Sequence, residues 1–434
     1  MLLVSASFAS ASATLLLEEP YGRMGYFTAT GHAAVYLSGV CADTPLLLRR
    51  CAPGETGVVL SRYDGVGGYD WVAIPLIPYL YAVERPEDVP LFADAKMAFF
   101  LRDRYRRKYL ENIAPDAKNG EAPGGNWYQL VGSSYDRTIY GFEIATTPEQ
   151  DEALIRKYNS SGNDSHFHLL SNNCADFAKH VFNFYYPKSL HRSMVSDIGI
   201  TTPKQIAKML IRFGDRHPEL QFSRLIISQV PGSMPRSSTV HGVVESFFTS
   251  KKYIVPSVVV SPIFAGCVAA VYVGTGAGHF EPARNAMVFV VGGDPERPLG
   301  REDRRAYQQE LKHFLAGAYP EKPGHNADKP WKRLLSRAKT GVDAQGRPVL
   351  QLEVGDSRVQ IGVAADNVLD GTAPPELERQ LLEARLQSEL GRKTFQLVSE
   401  TEIARDWELL QKASDMPPAA RSPQGAENTR GNRP

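Results

Sequence analysis

The chain has 434 residues, a formal net charge of +1 and 22% charged residues. This length exceeds one average domain and indicates either two domains or one domain with a membrane or linker part. The near-zero charge gives no electrostatic reason to expect nucleic acid as a partner. Four cysteines without a CxxC pair indicate neither a disulfide scaffold nor a zinc site, so we expect no metal and no cofactor.

The first 22 residues, MLLVSASFASASATLLLEEPYG, allow three interpretations. Ala9, Ala11 and Ala13 form two overlapping small-x-small patterns, which are typical of the cleavage site of a secretory signal. However, no basic residue precedes the short apolar core. The alternatives are therefore a true start further upstream or a plain N-terminal strand. On the cleavage pattern we expect export to the cell envelope, with the cytoplasm as the alternative.

Residues 14–213 have the pattern of one mixed unit of strands and helices. Short runs rich in β-branched and aromatic residues predict strands at 31–38, 56–63, 69–76, 137–145 and 166–170. A helix with a basic outer face is predicted over residues 90–113. Another helix begins at Pro148, where Thr147 and Gln150 can form a capping box. A third is predicted from Cys174 to about Pro187.

The second half of the chain has less regular patterns. Residues 214–252 are predicted to be a connecting region, and residues 253–280 contain no Lys, Arg, Asp or Glu. This apolar segment is long enough to cross a bilayer, although its prolines shorten the regular part; a buried helix or strand pair is the alternative. Residues 281–416 predict a small α+β region with amphipathic helices and one hairpin, and the tail 417–434 is predicted to be disordered.

Cys174 begins the predicted helix CADFAKHVFNF. Phe177, Val181 and Phe184 recur at helical spacing and share its face, so the thiol is expected where a buried face meets the helix N-terminus. Free N–H groups and the helix dipole there favour a thiolate and can bind an oxyanion. Asn172 or Asn173 is expected to cap the helix and to add an amide donor. The alternative is a free cysteine that only packs in the core.

His32 is the histidine best placed to act as a base for that thiol. It opens the predicted strand in GHAAVYL, directly after Gly31, and small and apolar residues follow it. A histidine at the mouth of a strand that packs on a cysteine-bearing helix provides the geometry that a thiol nucleophile needs. His166 and His168 are closer to Cys174 in sequence but are expected on the surface, and His180 lies almost two turns along the helix.

GHAAVYL, followed by FHLLSNNCADFAKHVF, resembles the circularly permuted NlpC-type branch of papain-like thiol enzymes. That branch includes lecithin:retinol acyltransferase-like proteins, PPPDE-type peptidases and the Lnb-type periplasmic N-terminal domains of bacteria. Gly31-His32, Asn173-Cys174 and Phe177 match its pattern, in which the histidine strand precedes the cysteine helix. The resemblance covers residues 14–213 and implies an α+β papain-like domain with a cysteine nucleophile and a histidine base.

The same family usually carries a third polar residue that orients the histidine. If residues 31–38 and 56–63 pair as a hairpin, the residues that face His32 lie near the end of the second strand, and another polar residue opens the strand after it. The candidates are Ser61, Tyr63, Asp64 and Asp70. A carboxylate would fix the tautomer and stabilise the imidazolium. The sequence leaves these four open, with a backbone carbonyl or a water molecule as the alternative.

Cys41 and Cys51 bracket ADTPLLLRR between two strands that are predicted to pair. In an exported protein a disulfide between them is plausible, whereas in a reducing compartment they are two free thiols. Cys267 lies in the apolar segment and is expected to pack there.

The expected activity is thiol-dependent hydrolysis or acyl transfer at an amide or ester carbonyl. The family resemblance implies peptides, cell-wall amides or lipid esters as substrates, and the apolar segment allows membrane association. The alternatives are a non-catalytic cell-envelope binding or scaffold protein that retains the fold, and a cytosolic structural protein in which Cys174 is core.

Overall fold

The structure is a computed structural model. It describes residues 11–22, 30–164, 166–192, 197, 199–249, 261, 263, 266–267, 270, 274, 279–318, 330–364, 373–390 and 398–414. The first ten residues of the expected signal, most of the apolar segment 253–280 and the tail 417–434 lie outside these residues. None of the helices in the described part combines the length and the apolar character needed to cross a bilayer.

The protein is α+β, as predicted. Its strands are β1 (Ser12–Glu18), β2 (His32–Leu37), β3 (Val40–Thr44), β4 (Leu47–Arg50), β5 (Val58–Ser61), β6 (Val72–Pro75), β7 (Ile139–Ala145), β8 (Ser223–Ile227), β9 (Met287–Val288), β10 (Lys339–Val342), β11 (Pro348–Val354) and β12 (Ser357–Gly362). Seven of them form one sheet in the order β6-β5-β2-β1-β7-β8-β9. Its neighbouring strands are antiparallel except β8 and β9, which are parallel. β3 and β4 form a separate hairpin, and β10, β11 and β12 form a small sheet.

The helices cover both faces of the large sheet and form most of the C-terminal region. They are α1 (Leu76–Tyr81), α2 (Ala95–Tyr109), α3 (Ser133–Asp136), α4 (Pro148–Ser160), α5 (Cys174–Tyr185), α6 (Pro203–Arg216), α7 (Val243–Thr249), α8 (Arg301–Ala318), α9 (Pro330–Arg337), α10 (Pro375–Leu390) and α11 (Glu400–Ser414). The predicted capping box of α4 is present, because Gln150 N donates to Thr147 Oγ1 at 3.3 Å and Thr147 N donates to Gln150 Oε1 at 2.9 Å.

β1 is the central strand, and its seven residues are all buried. Strand alternation sends Leu15 and Leu17 to the face on which α5 packs, and it sends Leu16 to the opposite face, where α1 and α2 pack. Burial on both faces explains the continuous apolar run of this strand. The two faces therefore have separate cores.

The predicted strand at 166–170 is wrong. His168 and Asn172 instead close a tight turn, in which His168 N donates to Asn172 O at 3.2 Å and Asn172 N donates to His168 O at 2.9 Å. Leu169 and Leu170 lie at the tip of this turn and are 63% and 53% exposed. Leu169 and Leu170 give the sequence the apolar pattern of a strand. However, the backbone groups of His168 and Asn172 bond to each other in the turn and not to a neighbouring strand.

The predicted domain boundary at Phe213 does not coincide with an edge of the fold. β8 comes from the predicted connecting region and pairs with β7, and β9 extends the same sheet from beyond residue 280. One core also joins the two parts, since Leu101 of α2 belongs to the same buried cluster as Leu381 of α10. The separate C-terminal unit predicted at 281–416 is thus packed against the first part of the chain.

Candidate active site

The backbone conformation of Gly31 determines where β2 begins. Gly31 has φ +69°, and a Cβ atom on it would lie 2.1 Å from the carbonyl oxygen of Glu18. Only glycine accommodates both the left-handed backbone and this close approach. His32 is then the first residue of β2 and lies directly opposite Glu18 in the antiparallel pair. Gly31 therefore allows β2 to begin at His32, directly opposite Glu18.

Asn173 fixes the start of α5, as the sequence predicted. Its Oδ1 accepts from Ala175 N at 2.9 Å and from Asp176 N at 3.1 Å, and its Nδ2 donates to the carbonyl oxygens of Leu169 and Thr201. With both ends of the amide engaged, Asn173 holds the loop and the helix together. The expectation that its side chain supplies an oxyanion donor is not supported, because its donors already have acceptors.

Asn172 has a similar supporting position. Its Oδ1 accepts from Arg62 Nη1 at 2.6 Å, and its Nδ2 donates to His166 O at 2.7 Å. Arg62 lies 4.9 Å above the ring of Phe177, so the same guanidinium also packs on α5. Asn172 thus ties the turn before Cys174 to the chain that follows β5, and its side chain is engaged in this link rather than facing a substrate.

The Cys174 thiol lies at the meeting point of α5 and β2. It is close to the backbone N–H of Ala33, the residue directly after His32, and to the N–H groups of Ala175 and of Cys174 itself. Burial raises the pKa of the thiol to about 11; the Ala33 N–H opposes this shift and the charge of Glu18 adds to it. The expected lowering of the thiol pKa at the helix N-terminus is therefore wrong, because desolvation outweighs the amide groups.

His32 is also held in its neutral form. Burial, and next the charge of Arg137, lower the pKa of the imidazole well below its usual range. Its ring stacks on Tyr63 with the centroids 4.2 Å apart and the planes 9° apart. Its Nε2 is buried without a hydrogen-bond partner among the described residues. Both shifts favour the neutral forms, of the imidazole and of the Cys174 thiol, at neutral pH.

The two side chains approach the same end of β2 from different faces of the sheet. His32 contacts Tyr63 in the core on the α1 side, whereas α5 packs on the other face beside Ala33. These contacts place the imidazole and the α5 face on opposite sides of β2. The backbone N–H of Ala33 lies close to the sulfur, and Ala33 directly follows His32 in the chain.

Of the four residues considered for orienting the histidine, Tyr63 is the one that contacts it. Ser61 is buried, and its hydroxyl has no hydrogen-bond partner within the described chain. Asp64 is exposed, and its backbone oxygen accepts from Asn126. Asp70 forms an ion pair with Arg62. Tyr63 orients the ring by stacking, so the predicted hydrogen-bonding partner is replaced by an aromatic contact.

The most deeply buried charged group of the site, Glu18, was not predicted from the sequence. Glu18 is fully buried; its Oε2 lies 2.8 Å from Arg137 Nη1, and its Oε1 accepts a hydrogen bond from the Tyr79 hydroxyl. The Tyr79 and Tyr63 hydroxyls are 3.4 Å apart, so the cluster continues to the ring that stacks on His32. Burial raises the pKa of Glu18, and Arg137 and Tyr79 oppose that rise. The signal was a carboxylate at the end of the apolar run LLLEE.

Cys41 and Cys51 are joined in a disulfide that links the start of β3 to the residue after β4. Cys41, Cys51 and Glu55 are the one group of three potential metal ligands that the described residues bring together. Sulfur atoms in a disulfide are not thiolate ligands, so this group forms no metal site. Cys267 is exposed, which contradicts the expectation that it packs.

Protein-family models, curated proteins and solved structures were all compared with the chain, and none of them matches it. The chemistry of the site therefore rests on its geometry. A neutral imidazole can take the proton of a nearby thiol as the sulfur attacks, and N–H groups that lie against the sulfur can bind a new oxyanion.

Proposed function

We propose that the protein is a thiol-dependent hydrolase or acyltransferase that acts on an amide or ester carbonyl. The observation that carries this proposal is the position of the Cys174 thiol, which lies at the start of α5 and against the N–H of the residue after His32. The order of a histidine strand before a cysteine helix also supports the permuted papain-like arrangement that the motifs resemble.

In the proposed reaction His32 accepts the thiol proton while Cys174 Sγ bonds to the carbonyl carbon. The oxyanion that forms is held by N–H groups beside the sulfur, those of Ala33 and Cys174. The tetrahedral species collapses when His32 returns the proton to the leaving amine or alcohol. Water or an acceptor alcohol then takes the acyl group from sulfur.

We further propose that the protein works in the cell envelope, on peptide, cell-wall or lipid acyl groups. The Cys41–Cys51 disulfide supports this location, because disulfides persist in oxidising compartments and are rare in the cytosol. The segment 253–280, which lacks charged residues, would allow membrane association.

The proposal is tested by hydrolysis of p-nitrophenyl esters and p-nitroanilides. We expect Cys174→Ala to lower kcat/KM to the background rate and His32→Gln to lower it by about 10²–10⁴-fold, the range for loss of a general base. His180→Gln is the matched control on the same helix, since His180 is exposed, and it should stay within about twofold of the unchanged protein. Turnover that survives Cys174→Ala would contradict the proposal.

The neutral state of the pair favours a second candidate function, that of a non-catalytic envelope binding or scaffold protein. Cys174 is half-buried, and its raised thiol pKa and the unpartnered Nε2 of His32 are also what an unreactive cysteine and histidine would show. In that case no ester or anilide is turned over faster than by the Cys174→Ala variant.

A further inference from the structure

A cavity lies between the second half of α6, β8 and residues 279–285. Its volume is about 630 Å³, within the usual range for small-molecule sites. Four basic side chains and two carboxylates line it; these are Lys208, Arg212, Arg224, Arg284, Asp215 and Glu281. The chain as a whole has a formal net charge of only +1, so the excess of basic over acidic side chains in this lining is a local feature.

The counterions in this cavity are loosely held. The guanidinium of Arg224 is 16% exposed, and its Nη2 lies 3.7 Å from a carboxylate oxygen of Asp215, which is 57% exposed. Its Nη1 donates to the backbone oxygen of Arg284 at 3.2 Å. Burial, and next the charges of Lys204 and Arg212, lower the pKa of Lys208, and the charges of Glu245 and Asp197 oppose this shift. A bound anion would relieve the repulsion between the cations.

The lining also has an apolar wall, formed by Ile211 and Phe280. Both pack against the core on the α5 side of the sheet. Arginine guanidinium groups match phosphate oxygens in paired hydrogen bonds, and an apolar wall beside them favours a phosphate that carries an organic group over the bare ion. The lining includes Phe280, the last residue of the segment 253–280, which contains no Lys, Arg, Asp or Glu.

We propose that this cavity binds an organic phosphate, supplied either by a lipid headgroup or by a water-soluble phosphate ester. The site is distinct from the thiol site. Thr201, whose carbonyl oxygen accepts from Asn173, immediately precedes the N-cap of α6, whereas the cavity residues lie at 208–215 on that helix. The proposal therefore stands independently of thiol chemistry.

The test uses the full chain with two probes. Calorimetric titration with glycerol 3-phosphate measures the soluble source, and flotation with phosphatidylglycerol vesicles, compared with phosphatidylcholine vesicles, measures the lipid source. Arg212→Gln and Arg284→Gln are the test variants, because both side chains are exposed and tolerate replacement. Arg216→Gln removes the same charge from the same helix outside the cavity and is the matched control.

We expect saturable binding of at least one probe, weakened about tenfold or more by each test variant and less than about twofold by Arg216→Gln. Binding of glycerol 3-phosphate identifies a soluble ligand site, and binding of phosphatidylglycerol vesicles alone identifies a headgroup site. The proposal is overturned if neither probe binds, if sodium acetate competes as well as phosphate, or if Arg216→Gln weakens binding as much as the test variants do.

Discussion

Replacement of Arg137 by methionine is expected to lower the free energy of unfolding by about 3–5 kcal/mol, the usual cost of leaving a buried charge without its partner. Arg137 is the ion-pair partner of Glu18, and both side chains are buried in the cluster beside His32. Denaturant unfolding, followed by fluorescence, measures the change. The double variant Glu18→Gln/Arg137→Met should recover most of the loss, because no buried charge then remains.

The loss should also depend on pH. The folded-state pKa of Glu18 already lies above its ordinary value of 4.5, so this group costs stability as pH rises through that range. Without Arg137 the folded pKa rises further, and the difference between the two proteins grows from pH 5 to pH 8. Arg107→Met, which breaks exposed ion pairs with Asp103 and Asp116, is the control. An Arg137→Met protein no less stable than this control would contradict the structural role of the buried pair.

Alkylation of Cys174 by iodoacetamide is expected to accelerate about tenfold per pH unit from pH 6 to pH 10, with no levelling in that range. The reason is that burial raises the pKa of the thiol to about 11, so the reactive thiolate fraction keeps increasing. A Cys267→Ser background removes the exposed free cysteine, and the two remaining cysteines are disulfide-bonded. Mass spectrometry of the labelled peptide gives the rate constant.

A short cysteine peptide is the reference, because its rate levels near a pKa of about 8.5. In His32→Gln the pH slope should be unchanged, since the resting imidazole is neutral and forms no ion pair with the sulfur. A rate that is already level between pH 5 and pH 8, and that becomes pH-dependent in His32→Gln, would show an ion pair and refute the neutral resting state.

The elements that position the candidate site could be predicted because their signals are local. Gly31 before an apolar strand, the Asn173 cap before a helical repeat, and the pairing of β2 with β5 follow from short-range geometry. The pairing even explains Tyr63, because continuing the β2–β5 register brings it opposite His32. Local sequence patterns were sufficient to predict a site residue where a single strand or helix determines the position of its side chain.

The other features of the site depend on contacts between residues that are far apart in the sequence. Glu18 faces His32 only because β1 pairs with β2, and its partner Arg137 comes from just before β7. The thiol pKa could not be predicted from the helix N-terminus, since the burial around it comes from other elements. β8 and β9 are short, and their place in the sheet follows from pairing with strands far away in sequence.

The most direct measurement of the central claim is the intact mass of the Cys267→Ser protein after brief exposure to a p-nitrophenyl ester at neutral pH. We expect one added acyl group, located on Cys174 by peptide mapping and absent in His32→Gln. An unmodified thiol, in a protein that iodoacetamide still labels at pH 10, would show that the sulfur is accessible but that the His32 imidazole does not activate it.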